Sequence, residues 1–206
     1  MNFDNLIKKY NLKIKGVIHI GAHVGSEYLD YKKHNITNLM FFEPIPEIFM
    51  RLKDNVGETN AKLYNIALGN KVGKQIIHFG SNGRNDSCSS MLEPETFLEK
   101  YPDFNFDIKF EVTIDKLDNI EYDRDDYNFI NIDVQGYELE VFKGSIESLE
   151  NIDYILTEIN EEHLYKDGVL TKELDLFLSD FDFVRVETYL VEGKGWGDAL
   201  YIKNNN

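Results

Sequence analysis

Hydrophobic positions along this chain recur with two alternating periods, and the alternation predicts the order of its elements. Phe3, Leu6, Ile7 and Tyr10 fall at helical spacing, so residues 1–15 read as an N-terminal helical cover over one edge of the domain. Val17, Ile18 and Ile20 are β-branched and suit a buried strand, which stops at Gly21. Residues 26–34 then read as helix and 39–43 as a second apolar strand, completing one βαβ unit. Pro44 and Pro46 restrict the chain beyond it, and Ile48, Phe49 and Leu52 set helical spacing on residues 47–55. Residues 61–68 supply a third strand.

From Gly69 the rhythm breaks. Residues 74–79 resemble a strand, whereas 80–107 begin rich in Gly, Asn and Ser and show no apolar period, which predicts a loop or lid on the acceptor side. Residues 109–114 alternate as a half-buried strand does. Regular order then returns: an apolar strand ending at Asp133, a helix over 137–149, a strand over 152–159, a helix over 170–178, and strands over 181–188 and 199–203. This order predicts one α/β domain over residues 1–206, a doubly wound, mostly parallel sheet of about seven strands with helices on both faces and an antiparallel finish.

The strand ends hold the candidate chemistry. Gly21 and Gly25 bracket a turn where backbone approaches a ligand, and the helix start behind it offers amides to an anion. Glu43 ends the second apolar run about 20 residues later, where a ribose-binding carboxylate is expected. Together they predict a nucleoside-containing cofactor. The dinucleotide fingerprint needs further glycines where this chain has His23 and Ser26, so S-adenosylmethionine fits better than NAD. Asp133 stands at a strand's carboxyl end, where ligands sit in open α/β sheets; a helix N-cap is its competing role.

Composition narrows the partners. The 206 residues suffice for one core, and 42% hydrophobic with 29% charged residues is ordinary for a folded domain, with disorder expected only in the Asn204–Asn206 tail. Cys88 is the single cysteine, which excludes an internal disulfide and a cysteine zinc cluster. A net charge of −15 with scattered lysines and arginines disfavours nucleic acid and suits a neutral or cationic acceptor. No apolar run reaches membrane-spanning length and no leader pattern opens the chain, so a cytoplasmic location is expected.

Several short motifs together resemble the FkbM-type S-adenosylmethionine-dependent methyltransferases: Ile18-His19-Ile20-Gly21-Ala22-His23-Val24-Gly25, Phe42-Glu43-Pro44, Asn65-Ile66-Ala67-Leu68-Gly69, Ser89-Ser90-Met91-Leu92, Ile132-Asp133-Val134-Gln135-Gly136-Tyr137-Glu138, Thr157-Glu158-Ile159-Asn160 and Trp196-Gly197-Asp198-Ala199. The resemblance spans nearly the whole chain. It implies a Rossmann-like class I methyltransferase fold and O-methylation of a sugar or glycan hydroxyl. It also implies Gly21, Ala22 and Gly25 around the methionine end of the cofactor, Glu43 on the ribose, Ala67 near the adenine and Asp133 at the reaction centre. His19 stands where many relatives carry Asp; it is either a satisfied side chain or a contact to the cofactor's methionine. His23 is expected to cap its turn beside the cofactor.

For methyl transfer Asp133 is the first candidate base, with Glu158 and Asp198 beside it, and with Ser90, Asn160 and Trp196 on the acceptor. Trp196, Tyr137 and Tyr165 are aromatic candidates for stacking on a sugar ring. Asp133, Glu158 and Asp198 also supply three oxygen ligands that suit Mg²⁺ completed by water. A glycan acceptor would bring functional association with glycosyltransferases. The alternatives are an NAD(P)-dependent oxidoreductase and a non-catalytic carbohydrate-binding or assembly domain on the same fold.

Overall fold

The computed structural model describes residues 1–204; Asn205 and Asn206, the end of the expected polar tail, lie outside the described residues. Its elements run α1 (Phe3–Tyr10), β1 (Gly16–Ile20), α2 (Tyr28–Lys33), β2 (Asn38–Phe42), α3 (Pro46–Val56), β3 (Lys62–Tyr64), β4 (Ala67–Leu68) and β5 (Gly73–Ser81). There follow α4 (Phe97–Lys100), β6 (Asn105–Asp115), β7 (Phe129–Ile132), α5 (Glu138–Lys143), β8 (Tyr154–Asn160), α6 (Thr171–Ser179), β9 (Phe183–Leu190) and β10 (Trp196–Lys203). The main sheet has seven strands in the order β3-β2-β1-β7-β8-β10-β9. Six run in one direction, and β10 inserts antiparallel between β8 and β9. This is the Rossmann-like class I methyltransferase fold. Among the described residues no helix is long and apolar enough to cross a membrane.

Both faces of the central strands β1, β2 and β7 are buried, which is why they read as near-continuous apolar runs. Ile18, Ile20, Met40, Phe42, Ile130 and Ile132 pack toward α5 and α6, while Val17, Leu39, Phe41 and Phe129 pack toward α1 and α2. The N-terminal cover lies over the second face. Phe3 meets the rings of Tyr31 and Phe129 edge-on at 5.2 and 5.6 Å. Burying such rings contributes about 1.5–3 kcal/mol each.

Three expected elements differ. The third strand breaks at Asn65, whose Nδ2 donates to the carbonyls of Glu43 and Pro44 at 2.9 and 3.0 Å. The chain therefore leaves β2 after Tyr64, and Ala67–Leu68 pairs with β6 in a second, three-stranded sheet ordered β4-β6-β5. The expected loop over 80–107 shrinks at both ends, because β5 continues to Ser81 and β6 begins at Asn105. Phe97 and Phe106 anchor its middle by burying against Tyr165. The helix expected over 137–149 stops at Lys143, because Gly144 crosses the chain at Gly69: a Cβ there would fall 1.9 Å from the Gly69 carbonyl oxygen.

Strand order reverses between β1 and β7, and their carboxyl ends open the crevice where ligands bind in such sheets.

Candidate active site

The crevice begins where β1 ends. Gly21 turns at φ +75°, and a Cβ there would fall 1.9 Å from the Asp133 carbonyl oxygen, so only glycine lets the two strand ends approach. The next turn residue, His23, has φ +48°, and its backbone N–H donates to Oε2 of Glu43 at 3.0 Å. Ile45 N–H donates to the other oxygen of Glu43 at 2.8 Å. Burial pushes the Glu43 carboxyl up to about 7.

Asp133 and Ser87 each border three adjoining cavities. The first runs past Glu43 and Ala67 between apolar walls that include Phe42, Ile45, Ile66 and Met91. The second is polar and holds His19, Ala22, Glu27, Glu158 and Asp198. The third sets Phe97, Tyr101, Phe104 and Trp196 opposite Asp133 and Glu158. Facing these openings leaves Asp133 exposed by surface area, within a crevice walled by the surrounding protein. That surrounding protein, by desolvation, pushes its carboxyl up to about 6.

One amide ties the acids together. Gln135 Nε2 donates to Oδ1 of Asp133 at 2.7 Å and to Oε2 of Glu158 at 2.9 Å. Glu138 Oε1 accepts from the N–H groups of Val134 and Gly136 at 3.0 and 3.2 Å, while its buried Oε2 has no partner. Burial raises this carboxyl to about 7 and, with Asp133 beside it, raises Glu158 well above the usual carboxylate range.

The structure therefore corrects the acid set expected for a metal. Oxygens of Asp133, Glu138 and Glu158 lie within 4.8 Å of one another. Asp198 lies outside this group and pairs instead with the Met1 amino group. Ser90 does not reach an acceptor: it is 1% exposed, donates to the Gln135 carbonyl at 2.7 Å and borders none of the three cavities. Asn160 also borders none, because its amide turns inward and donates to Glu158 Oε1 at 3.3 Å. Gly25 packs against α3, where a Cβ would meet Leu52 Cδ1 at 2.6 Å.

Burial lowers the pKa of the His19 imidazole, its Nδ1 lies 3.2 Å from the Tyr31 hydroxyl, and the ring borders the second cavity. The His23 side chain does not cap its turn. Its Nε2 lies 2.8 Å from Oδ1 of Asp86, and Arg51 binds the other Asp86 oxygen. The helix N-cap role considered for Asp133 is filled instead by Tyr137, whose side chain makes no capping bond. Tyr137 belongs to the core, and Tyr165 donates to Gln135 Oε1 at 2.9 Å, so of the three aromatic candidates Trp196 lines the third cavity.

Sequence reasoning missed Asp86, Ser87, Gln135 and Glu138. The first two sit in a stretch without periodicity, which offered no signal. Gln135 and Glu138 flank Gly136 directly after Asp133, and that adjacency was the available clue.

The family model described as Methyltransferase FkbM domain matches residues 19–185. This chain belongs to the FkbM methyltransferase family. The chain is similar to the 2-O-methyltransferase NoeI of Sinorhizobium fredii, with 27% identity over 186 residues that cover 86% of this chain and 76% of NoeI. The FkbM-family fold seen here is similar to that of magnesium protoporphyrin IX methyltransferase (ChlM) from Synechocystis PCC 6803 with bound SAH. That match has TM-score 0.56 and 9% identity over 97% of this chain and 78% of ChlM. PH0226 protein from Pyrococcus horikoshii OT3 is similar as well, with TM-score 0.55 and 8% identity over 98% of this chain and 87% of that one.

Proposed function

We propose that this FkbM-family protein transfers the methyl group of S-adenosylmethionine to a hydroxyl of a sugar or glycan. The observation that carries the reading is the meeting of three chemically different cavities at Asp133. An apolar slot ending in a buried carboxylate fits adenosine, with Glu43 accepting from ribose hydroxyls. The second cavity, lined by Glu27, Glu158 and Asp198, fits a cationic methionine end. The third cavity has an aromatic wall opposite carboxylates, which suits a ring with one apolar face and hydroxyl edges.

Bound S-adenosylmethionine would supply an electrophilic methyl group on its sulfonium. The chain's own residues then have three tasks. Glu43 and the apolar slot fix the nucleoside. The aromatic wall presents the acceptor ring so that its hydroxyl oxygen lies about 3 Å from the methyl carbon. Asp133, at the junction, accepts the hydroxyl proton on a carboxylate oxygen as that oxygen becomes the nucleophile. NoeI is a 2-O-methyltransferase, which supports a hydroxyl as the acceptor group.

Calorimetric titration with S-adenosylmethionine, S-adenosylhomocysteine and NAD tests the cofactor, and methyl transfer to neutral glycosides with and without Mg²⁺ tests the reaction. Binding of the first two, lost in Glu43→Ala, is the expected result. Folded protein that binds neither would overturn the reading and favour a non-catalytic binding domain.

A further inference from the structure

Gln135 departs from what its backbone prefers. Its φ is +56°, a conformation that glycine adopts freely and side chains resist. A glutamine held there points to a task for the side chain, and its contacts show which one. Both amide protons are engaged, one on Oδ1 of Asp133 at 2.7 Å and one on Oε2 of Glu158 at 2.9 Å. The amide oxygen accepts from the Tyr165 hydroxyl at 2.9 Å, and the backbone carbonyl accepts from Ser90 Oγ at 2.7 Å. Two separate segments, at Glu158 and Tyr165, therefore hold one side chain that is 8% exposed, and a third, at Ser90, holds its backbone.

We infer that Gln135 is a positioning residue for methyl transfer, fixing the Asp133 carboxylate through an amide clamp that Tyr165 keeps in register. The inference rests on the methyltransferase reading above. Two carboxylates that face each other without a donor between them either share a proton or swing apart. Either outcome removes the ionised, aimed oxygen that a hydroxyl needs. The Gln135 amide opposes both, because it donates to each acid. Holding Oδ1 also sets the plane of the Asp133 carboxylate and thus the direction of Oδ2. Tyr165 acts one step further out: its hydroxyl lies 3.0 Å from the Cys88 carbonyl and 2.9 Å from the Gln135 amide oxygen and so ties the clamp to that backbone, while the two acids, as acceptors, turn the N–H₂ end toward themselves.

The test uses the full chain and three variants, Gln135→Leu, Tyr165→Phe and the double variant, with calorimetric S-adenosylmethionine affinity and kcat and KM on the best neutral methyl glycoside. Gln135→Leu is expected to lower kcat by about 100-fold while cofactor affinity and acceptor KM stay within about threefold. Tyr165→Phe should lower kcat by about tenfold, and the double variant should be no slower than Gln135→Leu, because the tyrosine acts through the glutamine. Additive losses in the double variant would overturn the coupling, and loss of cofactor binding together with kcat would mark a scaffold role. Full kcat in folded Gln135→Leu would overturn the positioning role alone. Absence of transfer by the wild-type protein would overturn the functional reading, and the role with it.

Discussion

The backbone N–H of His23 donates to Oε2 of Glu43 across 3.0 Å, joining the turn after β1 to the end of β2. This contact makes Glu43 the point where the first cavity meets the glycine turn. Burial raises its carboxyl to about 7, so the folded protein binds that proton more tightly than the unfolded chain, whose carboxyl titrates near its usual value of about 4.3. The stability this contributes is complete below about 4.3 and is lost as pH rises through about 7. The ligand-free protein should therefore melt several degrees higher at pH 5 than at pH 8, and Glu43→Gln should shrink the difference. Cofactor affinity should move the opposite way and rise with pH, since ribose hydroxyls bond best to the ionised acid. Thermal scans and titrations at both pH values check the pair.

Asp133 must be ionised to take a proton, and burial holds its carboxyl up to about 6. The kcat/KM profile should rise with pH through an acidic limb near that value. Asp133→Asn keeps the shape, removes the base and should lower kcat about 10²- to 10⁴-fold. A variant that retained wild-type turnover would assign the proton to another group.

Asp86 ties the stretch between β5 and β6 to His23 and Arg51, at the rim of the cavity that Glu43 closes from below. Asp86→Ala should release that tie, speed S-adenosylmethionine dissociation about tenfold and expose residues near Arg84 to trypsin. Exposed ion pairs are individually weak, so an effect much below threefold would mean that the segment is held by Ser89 and its neighbours instead. Stopped-flow dissociation and limited proteolysis measure both consequences.

The third cavity is bordered by Asp133 and Glu158, and among the described residues lining it there is neither lysine nor arginine. Phosphorylated or carboxylated acceptors should accordingly show kcat/KM values at least about tenfold below neutral glycosides. Trp196 Nε1 donates to the Tyr101 hydroxyl at 2.8 Å, which fixes the indole in the aromatic wall. Trp196→Ala should raise acceptor KM about tenfold with little change in cofactor affinity.

Glu138 is the buried acid whose Oε2 has no partner. Glu138→Gln keeps the acceptor for Val134 and Gly136 and replaces a repelling oxygen near Asp133 and Glu158 with a donor. The variant should melt higher than wild type at pH 8 and no higher at pH 5, where the wild-type carboxyl is protonated.

Much of this architecture was legible in the sequence because it is written locally. Runs such as Leu39–Phe42 and, His19 apart, Val17–Ile20 are apolar, as strands buried on both faces must be, and their ends mark the crevice. Glu43 and Asp133 were recognisable for the same reason: each is the first acid after such a run. The tertiary structure decided which side chains meet. His23 and Asp86 stand 63 residues apart, and nothing in either neighbourhood encodes the other. The break at Asn65 depends on carbonyls of Glu43 and Pro44, and the end of α5 depends on Gly69, so neither boundary could be found from spacing. The acid cluster shows the division most plainly. Sequence placed Asp198 with Asp133 and Glu158, but Glu138 joined them, because the loop after β7 folds back through the positive φ of Gln135 and Gly136 while the Met1 amino group takes Asp198. Periodicity reports which face of an element is buried; the path of each loop and the order of the strands determine which distant groups share that interior.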